Sequence, residues 1–187
     1  MNSEVHKNAV LKGPFILVTT RPGRETVALE EALDAILPID INAREVNITR
    51  KGVIVVRLSS MDKLSDAISA LKNRITSTIF HIIPLDILVF RKDLCLVKRL
   101  LVNLCKDKLQ GASFRVRCRG SFQGFNIQSS TLERLLGEYI LRSLSSLNVK
   151  VNLEAPAFII MVYELNNALG IGVFPSYMMI RKKTRWD

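Results

Sequence analysis

Phe114-Arg115-Val116-Arg117-Cys118-Arg119-Gly120-Ser121 (FRVRCRGS, residues 114–121) alternates apolar and cationic side chains over its first six positions. Successive side chains of a β-strand point to opposite faces, so the alternation predicts a strand with Phe114, Val116 and Cys118 on the core side. Arg115, Arg117 and Arg119 then share the other face, about 6.6 Å apart in a row about 13 Å long. That pitch resembles the separation of successive phosphates along a nucleic-acid strand. Each guanidinium is a planar donor fork that matches phosphate, and three such charges repel one another unless an anion or acidic neighbour offsets them. Gly120 and Ser121 continue the row with backbone N–H groups and a hydroxyl. The competing reading is an arginine-laced face neutralised by acids of the same domain.

The row lies in the most basic part of the chain. The 187 residues hold 27 Lys+Arg and 17 Asp+Glu, a net charge of +10. Residues 1–90 are nearly balanced, with 11 basic and 10 acidic side chains, and residues 121–187 hold seven and five. Residues 91–120 carry nine basic side chains (Arg91, Lys92, Lys98, Arg99, Lys106, Lys108, Arg115, Arg117, Arg119) against Asp93 and Asp107, net +7. Charge clustered in this way is the electrostatic footprint of a polyanion partner. A solvated basic face is the alternative.

Composition narrows the class further. With 48% hydrophobic and 24% charged residues the chain is globular, and its length fits one large domain or two small ones. The longest apolar stretches, 82–90 (IIPLDILVF) and 155–163 (APAFIIMVY), fall short of the roughly 20 residues that span a bilayer. The N-terminus, MNSEVHKNAV, lacks the pattern of a signal peptide. The expectation is a cytoplasmic protein with no membrane contact. Cys95, Cys105 and Cys118 contain no CxxC pair, and the histidines are His6 and His81, so neither a disulfide framework nor a zinc site is expected. Gly170-Ile171-Gly172 is a lone GxG with no third glycine, and there is no P-loop, GxSxG or HExxH. Neither a catalytic set nor a cofactor is expected.

Hydrophobic periodicity divides the chain into two halves. Residues 14–19, a helix over 25–37, short strands near 44–48 and 52–58, a helix carrying Leu64, Ala67, Ile68 and Leu71 after a Ser60 or Asp62 cap, and a strand over 79–90 follow one another. This order is that of a ferredoxin-like βαββαβ unit. Pro84 is expected at a sheet edge or strand break, because it cannot donate to a ladder. The second half reads α-β-α-β-β. It has a helix near 92–109 with Gly111 at its C-cap, the strand 112–118, a helix from the S-x-x-E capping box Ser130-Thr131-Leu132-Glu133 to about 146, and strands near 149–153, 158–164 and 169–174. A helical connection makes parallel pairing natural. Two loops add weaker candidates. Residues 121–128 lead into a helix N-terminus, a ready anion site, and Phe122 or Phe125 could stack a base or lie in the core. Thr20-Arg21-Pro22-Gly23-Arg24 is a basic turn before a helix, or simply a turn.

The segments FRVRCRGS (114–121), SSTLERLLGEYI (129–140), VNLEAPAFIIMVYE (151–164) and IGV (171–173) resemble the THUMP domain, and FILVTTRPGRE (15–25) with FHIIPLDI (80–87) is similar to the ferredoxin-like domain that precedes it. The resemblance implies an α/β (α+β) chain divided into a ferredoxin-like domain at 12–90, a THUMP domain at 91–180 and a basic tail at 181–187. In that family the two domains dock on the acceptor end of tRNA, and methyltransferases, 4-thiouridine synthetases and deaminases are fused to them. With no such element before Asp187, the resemblance implies a stand-alone, non-catalytic adaptor, similar to the tRNA-acetyltransferase adaptors. The partners expected are the tRNA acceptor arm and 3′ end and a separate modifying enzyme such as an N4-cytidine acetyltransferase. The alternative is the RNA-binding subunit or fragment of a split tRNA methyltransferase, thiolase or deaminase. Carried over to this chain, the RNA-facing residues are Arg115, Arg117 and Arg119, with Lys98, Arg99, Lys106 and Lys108 as flanking phosphate contacts and Ser121 and Ser130 beside them.

Overall fold

The computed structural model of the chain describes residues 10–48 and 50–182. These fall into two compact units, one of 13–86 with 177–182 and the other of 10–12 with 87–176.

The first unit runs β1 (Val10–Thr19), α1 (Glu25–Ile36), β2 (Arg44–Glu45), β3 (Val53–Arg57), α2 (Leu64–Asn73) and β4 (His81–Val89), the βαββαβ order that periodicity predicts. Its strands lie in the order β2-β3-β1-β4, with β3 antiparallel to both β1 and β2. The buried faces of the helices explain how they pack. Ala28, Ala32 and Ala35 give α1 a narrow face that lies close to Ile16, Val18, Ile54 and Val56, and α2 adds Leu64, Ile68 and Leu71 to the same core. Each buried Leu or Ile is worth about 1.5–3 kcal/mol.

Asp40, fully buried just beyond α1, ties this unit together. It accepts hydrogen bonds from the Ser59 N–H at 2.6 Å, the Ser59 hydroxyl at 2.9 Å, the Lys63 ammonium at 3.1 Å and the Asn42 N–H at 3.2 Å. Burial acts to raise its carboxyl, but these donors outweigh burial and hold it at about 2. The helix expected after Ser60 or Asp62 starts later. A 3₁₀ turn, Met61–Lys63, intervenes, and neither it nor α2 has a side-chain cap.

Pro84 lies inside the unbroken strand β4, not at an edge or break. Strand β9 (Ile180–Arg181) pairs with His81 and Ile82, and β8 (Leu169–Pro175) pairs with Ile87 to Val89, so Pro84 falls between two ladders that need no N–H from it. Beyond Arg181, the Lys182 ammonium donates to the Leu71 carbonyl at 2.8 Å. Residues 183–187 of the expected basic tail lie outside the described residues.

In the second unit the end of β4 is followed by α3 (Leu94–Lys106), β5 (Ser113–Arg119), α4 (Ser129–Ser143), β6 (Lys150–Val151), β7 (Phe158–Glu164) and β8. The order is β4-β8-β7-β5-β6, with β5 parallel to β6 and β7, and β7 and β8 antiparallel. The core is made where Val97, Leu101 and Cys105 of α3 and Leu132, Leu136 and Ile140 of α4 meet Phe114, Val116 and Cys118 of β5. The Asp93 carboxylate caps α3 by accepting from the N–H groups of Cys95 and Leu96.

Two local expectations fail here. Gly111 has φ +66° but stands in a turn beyond α3, whose C-cap is Asp107. The capping box does not form. The Gln128 N-cap leaves Ser130 inside the first turn of α4, and Glu133 turns to β5. The Cys118 N–H has no strand opposite it, because β6 ends at Val151, and it donates to Glu133 at 2.8 Å. An unpaired strand N–H competes for the carboxylate better than a solvated helix end does.

Candidate nucleic-acid interface

The alternation along β5 is realised residue by residue. Phe114, Val116 and Cys118 are buried, Arg115 and Arg117 are half-buried, and Arg119 is exposed. The arginines are in register with Ile159, Met161 and Tyr163 of β7, so Tyr163 stands beside the outermost guanidinium.

The three cations differ in their partners. Arg115 donates through Nη1 to the Leu153 carbonyl, which anchors the start of the row. The buried Nε atoms of Arg115 and Arg117 have no hydrogen-bond partner among the described residues. Neither Arg117 nor Arg119 has a carboxylate within ion-pair distance among those residues. Partial burial lowers the pKa of Arg117, the charges of Arg115 and Arg119 lower it further, and Glu133 opposes them. The row thus sets three like charges side by side with no carboxylate paired to its last two members among the described residues, an arrangement that repels unless an anion offsets it.

The segment after the row is held by Glu164 at the end of β7. This buried carboxylate accepts from the Phe122 N–H at 2.6 Å, the Lys92 ammonium at 2.9 Å and the Ser121 hydroxyl at 3.0 Å. Burial acts to raise the Glu164 carboxyl, but the three donors outweigh it and the group sits below the usual carboxylate range. Gly120, at φ +144°, passes so near that a Cβ there would lie 2.4 Å from the Glu164 Cβ. Phe122 takes φ +47°, a strained conformation for a bulky residue, and is fully buried in the core with its ring stacked on Phe125 at 6.4 Å. Of the two phenylalanines, only half-buried Phe125 retains exposed surface. The Ser129 hydroxyl donates to the Gly120 carbonyl at 3.0 Å and closes the loop onto α4.

The helix cations do not gather round this row. Because α3 shares its core with Phe114, Val116 and Cys118, it covers the sheet face opposite the arginines. On α3, the Lys98 ammonium lies 5.2 Å from the centre of the Tyr139 ring and Arg99 and Lys106 are exposed. Just past the helix, Lys108 donates to the Val173 carbonyl at 2.7 Å. The net +7 of residues 91–120 is therefore divided between two faces. Ser121 lies in the loop two residues beyond β5 and gives its proton to Glu164, and exposed Ser130 lines a cleft of about 460 Å³ between β5 and α4 with Arg115, Glu133 and Leu153.

The sequence marks Glu133 only as a helix cap, and it does not single out Tyr163 or Glu164. Their roles depend on pairings between segments 15 to 44 residues apart, which no local pattern signals. Among the described residues no group of three or more His, Cys, Asp or Glu could hold a metal ion, and no helix is long and apolar enough to cross a membrane.

Residues 92–173 match the THUMP domain, so a THUMP domain is present in the second unit. Over 144 residues the chain is 33% identical to the uncharacterized protein MJ1257 of Methanocaldococcus jannaschii, covering 74% of this chain and 39% of that protein. Among solved structures, PH1313 from Pyrococcus horikoshii aligns with a TM-score of 0.65 at 19% identity, over 91% of this chain and 56% of that one. TrmN from Thermus thermophilus aligns at 0.61 with 24% identity, over 91% and 46%. A 4-thiouridine synthetase crystallised with RNA and ATP aligns at 0.60 with 17% identity, over 91% and 42%. At these identities the likeness is one of fold. The chain spans about two fifths of the curated relative and about half of these structures.

Proposed function

We propose that this chain, with a THUMP domain at residues 92–173, binds RNA through the arginine face of β5 and acts as a tRNA-binding adaptor for a separate modifying enzyme. The observation that carries the reading is the state of Arg117 and Arg119, adjacent cations with no carboxylate partner among the described residues, one with an unused buried donor. Phosphates along one strand would occupy that row and supply affinity without sequence information. The unpaired 3′ end of tRNA is the part of the molecule open to stacking and edge contacts, so docking is assigned to the acceptor arm. The structure described for a 4-thiouridine synthetase with RNA supports a nucleic-acid role for this fold. For the enzyme partner we propose an N4-cytidine acetyltransferase, on the resemblance of the sequence to the stand-alone THUMP adaptors of such enzymes.

The test compares binding of intact tRNA with tRNA lacking its 3′ terminal nucleotides, for the wild type and for Arg119→Ala. The reading expects weaker binding of the truncated tRNA and a further loss in the variant. Equal affinity for both RNAs overturns acceptor-end docking, and an unaffected variant overturns the arginine face.

A second reading has one specific support. The aligned relatives are longer, and this chain covers 39% to 56% of them, so the same binding unit occurs within larger proteins. Here the chain would be the RNA-binding part of a tRNA methyltransferase, thiolase or deaminase. Stable copurification with such a subunit would favour it over an acetyltransferase adaptor.

A further inference from the structure

The first unit carries its own cationic cleft. The turn between β1 and α1 (Thr20 to Arg24) and the segment before β4 enclose a cavity of about 250 Å³ lined by Thr20, Arg21, Arg24, Val27, Ser77, Thr78 and Phe80. We propose that this cleft binds a nucleotide phosphate, with Arg21 and Arg24 on the phosphate and the hydroxyl oxygens of Ser77 and Thr78 facing the sugar.

Four observations point the same way. Neither arginine has an ion-pair partner among the described residues, and Arg21 is held in place with its guanidinium 5.9 Å from the centre of the Phe80 ring. Thr20 is 6% exposed, and its Oγ1 has no hydrogen-bond partner among the described residues. An unpaired buried hydroxyl costs stability, and such a group on the wall of a cationic cleft marks a place for a ligand. Because Thr20 is β-branched, rotation about χ1 exchanges its methyl and hydroxyl with little change of volume. Finally, Arg24 at the N-cap of α1 and Val27 in its first turn both line the cleft, so the positive end of the helix dipole lies at its wall.

The acids nearby are already hydrogen-bonded within the unit. Glu25 accepts from the Gly52 N–H at 2.6 Å and also from the Gly23 N–H and its own, and the Thr20 N–H donates to the Gly52 carbonyl at 2.9 Å, which fixes the base of the turn. Glu31 accepts from the hydroxyls of Ser77 at 2.7 Å and Thr78 at 2.6 Å, and from both backbone N–H groups. With their protons given to Glu31, these hydroxyls present lone pairs to the cleft. One end is thus cationic and the other accepts hydrogen bonds. A phosphate ester whose sugar carries hydroxyl donors matches both ends, and the volume, below the 300–1,000 Å³ usual for small-molecule pockets, suits one phosphate and its sugar. Such a group can come from a free mononucleotide or from one residue of an RNA strand.

The experiment follows backbone amide resonances of the full chain during titration with inorganic phosphate, with cytidine monophosphate, and with an RNA stem bearing a single-stranded 3′ end. The amides of Thr20, Arg21, Arg24 and Val27 are expected to shift. A response to the mononucleotide assigns a free ligand, and a response to the RNA alone assigns a strand; both support the site. Arg21→Gln and Arg24→Gln should each weaken binding by about tenfold, the ordinary worth of a charge-assisted hydrogen bond. Thr20→Val should weaken binding while leaving the melting temperature unchanged or higher, because it removes an unpaired buried hydroxyl. No shift with any of the three probes, or shifts that survive in the Arg21→Gln, Arg24→Gln double variant, overturns the site. Response to cytidine monophosphate in an Arg117→Ala, Arg119→Ala chain separates this inference from the RNA reading of β5, which can fail while the cleft still binds.

Discussion

Replacing Arg117 with methionine should weaken RNA binding and strengthen the fold. The guanidinium stands about 6.6 Å from two like charges by strand geometry. At that distance a pair of charges repels by about 0.6 kcal/mol in bulk water and about 2.5 kcal/mol at an effective dielectric near 20. Arg117 is half-buried, which places it between those limits, and Glu133 offsets part of the repulsion. Its buried Nε is also unsatisfied, a further cost that methionine removes. The net gain expected in the free protein is about 1 kcal/mol, a rise of about 2–4 °C in melting temperature for a chain of this length. Added salt should shrink that gain by screening the repulsion. In RNA binding the same substitution deletes one phosphate contact. The slope of log affinity against log salt should therefore fall by about 0.9 for duplex or about 0.7 for single-stranded RNA. Thermal scans at two salt concentrations and a salt series of RNA titrations measure both quantities. A variant that melts lower than the wild type, or one with an unchanged salt slope, would refute the reasoning.

Three further outcomes follow from the geometry. The Asp40 carboxyl is held at about 2 against an ordinary value near 3.8, so it contributes about 2 kcal/mol that is fully present above about pH 4 and lost as pH falls towards 2. Urea denaturation of Asp40→Asn and wild type should show a stability gap at pH 7 that narrows over that window, and a gap independent of pH would contradict the assignment. Gly120→Ala should destabilise by more than about 2 kcal/mol, because the new Cβ meets Glu164 at 2.4 Å in a left-handed backbone; a near-neutral result in urea denaturation would show that the loop yields. Exposed Cys95 should react with iodoacetamide in the native protein, whereas Cys118, whose thiol burial pushes up to about 12 with Glu133 adding, and buried Cys105 should react only on unfolding. Mass spectrometry of the alkylated sites decides this.

Much of the fold was legible in the amino-acid order. Period-two alternation at 114–119 placed three residues in the core and three arginines away from it, and both helices of each unit follow from their apolar spacing. What was misread shares a cause. Ser130 and Glu133 fit a capping box, Gly111 fits a C-cap and Pro84 fits an edge, but each position was settled by a partner distant in sequence. Glu133 is taken by the Cys118 N–H, the chain after α3 turns so that the Gly111 N–H meets the Leu147 carbonyl, and β4 exchanges β9 for β8 around Pro84.

The candidate site divides in the same way. Local periodicity is enough to decide which side chains of one strand share a face, because side-chain direction in a strand depends only on position along it. The density of charge over residues 91–120 was also plain from composition. Which of those charges act together was a question of packing. Once Val97, Leu101 and Cys105 bury against β5, α3 must lie on the face that the arginines leave, and its cations are separated from the row. Glu164, which holds the loop after the row, reaches it from 42 residues further along the chain because β7 runs parallel to β5. A pattern with a period of two residues carries no trace of that neighbour, and only the pairing of strands brings it in.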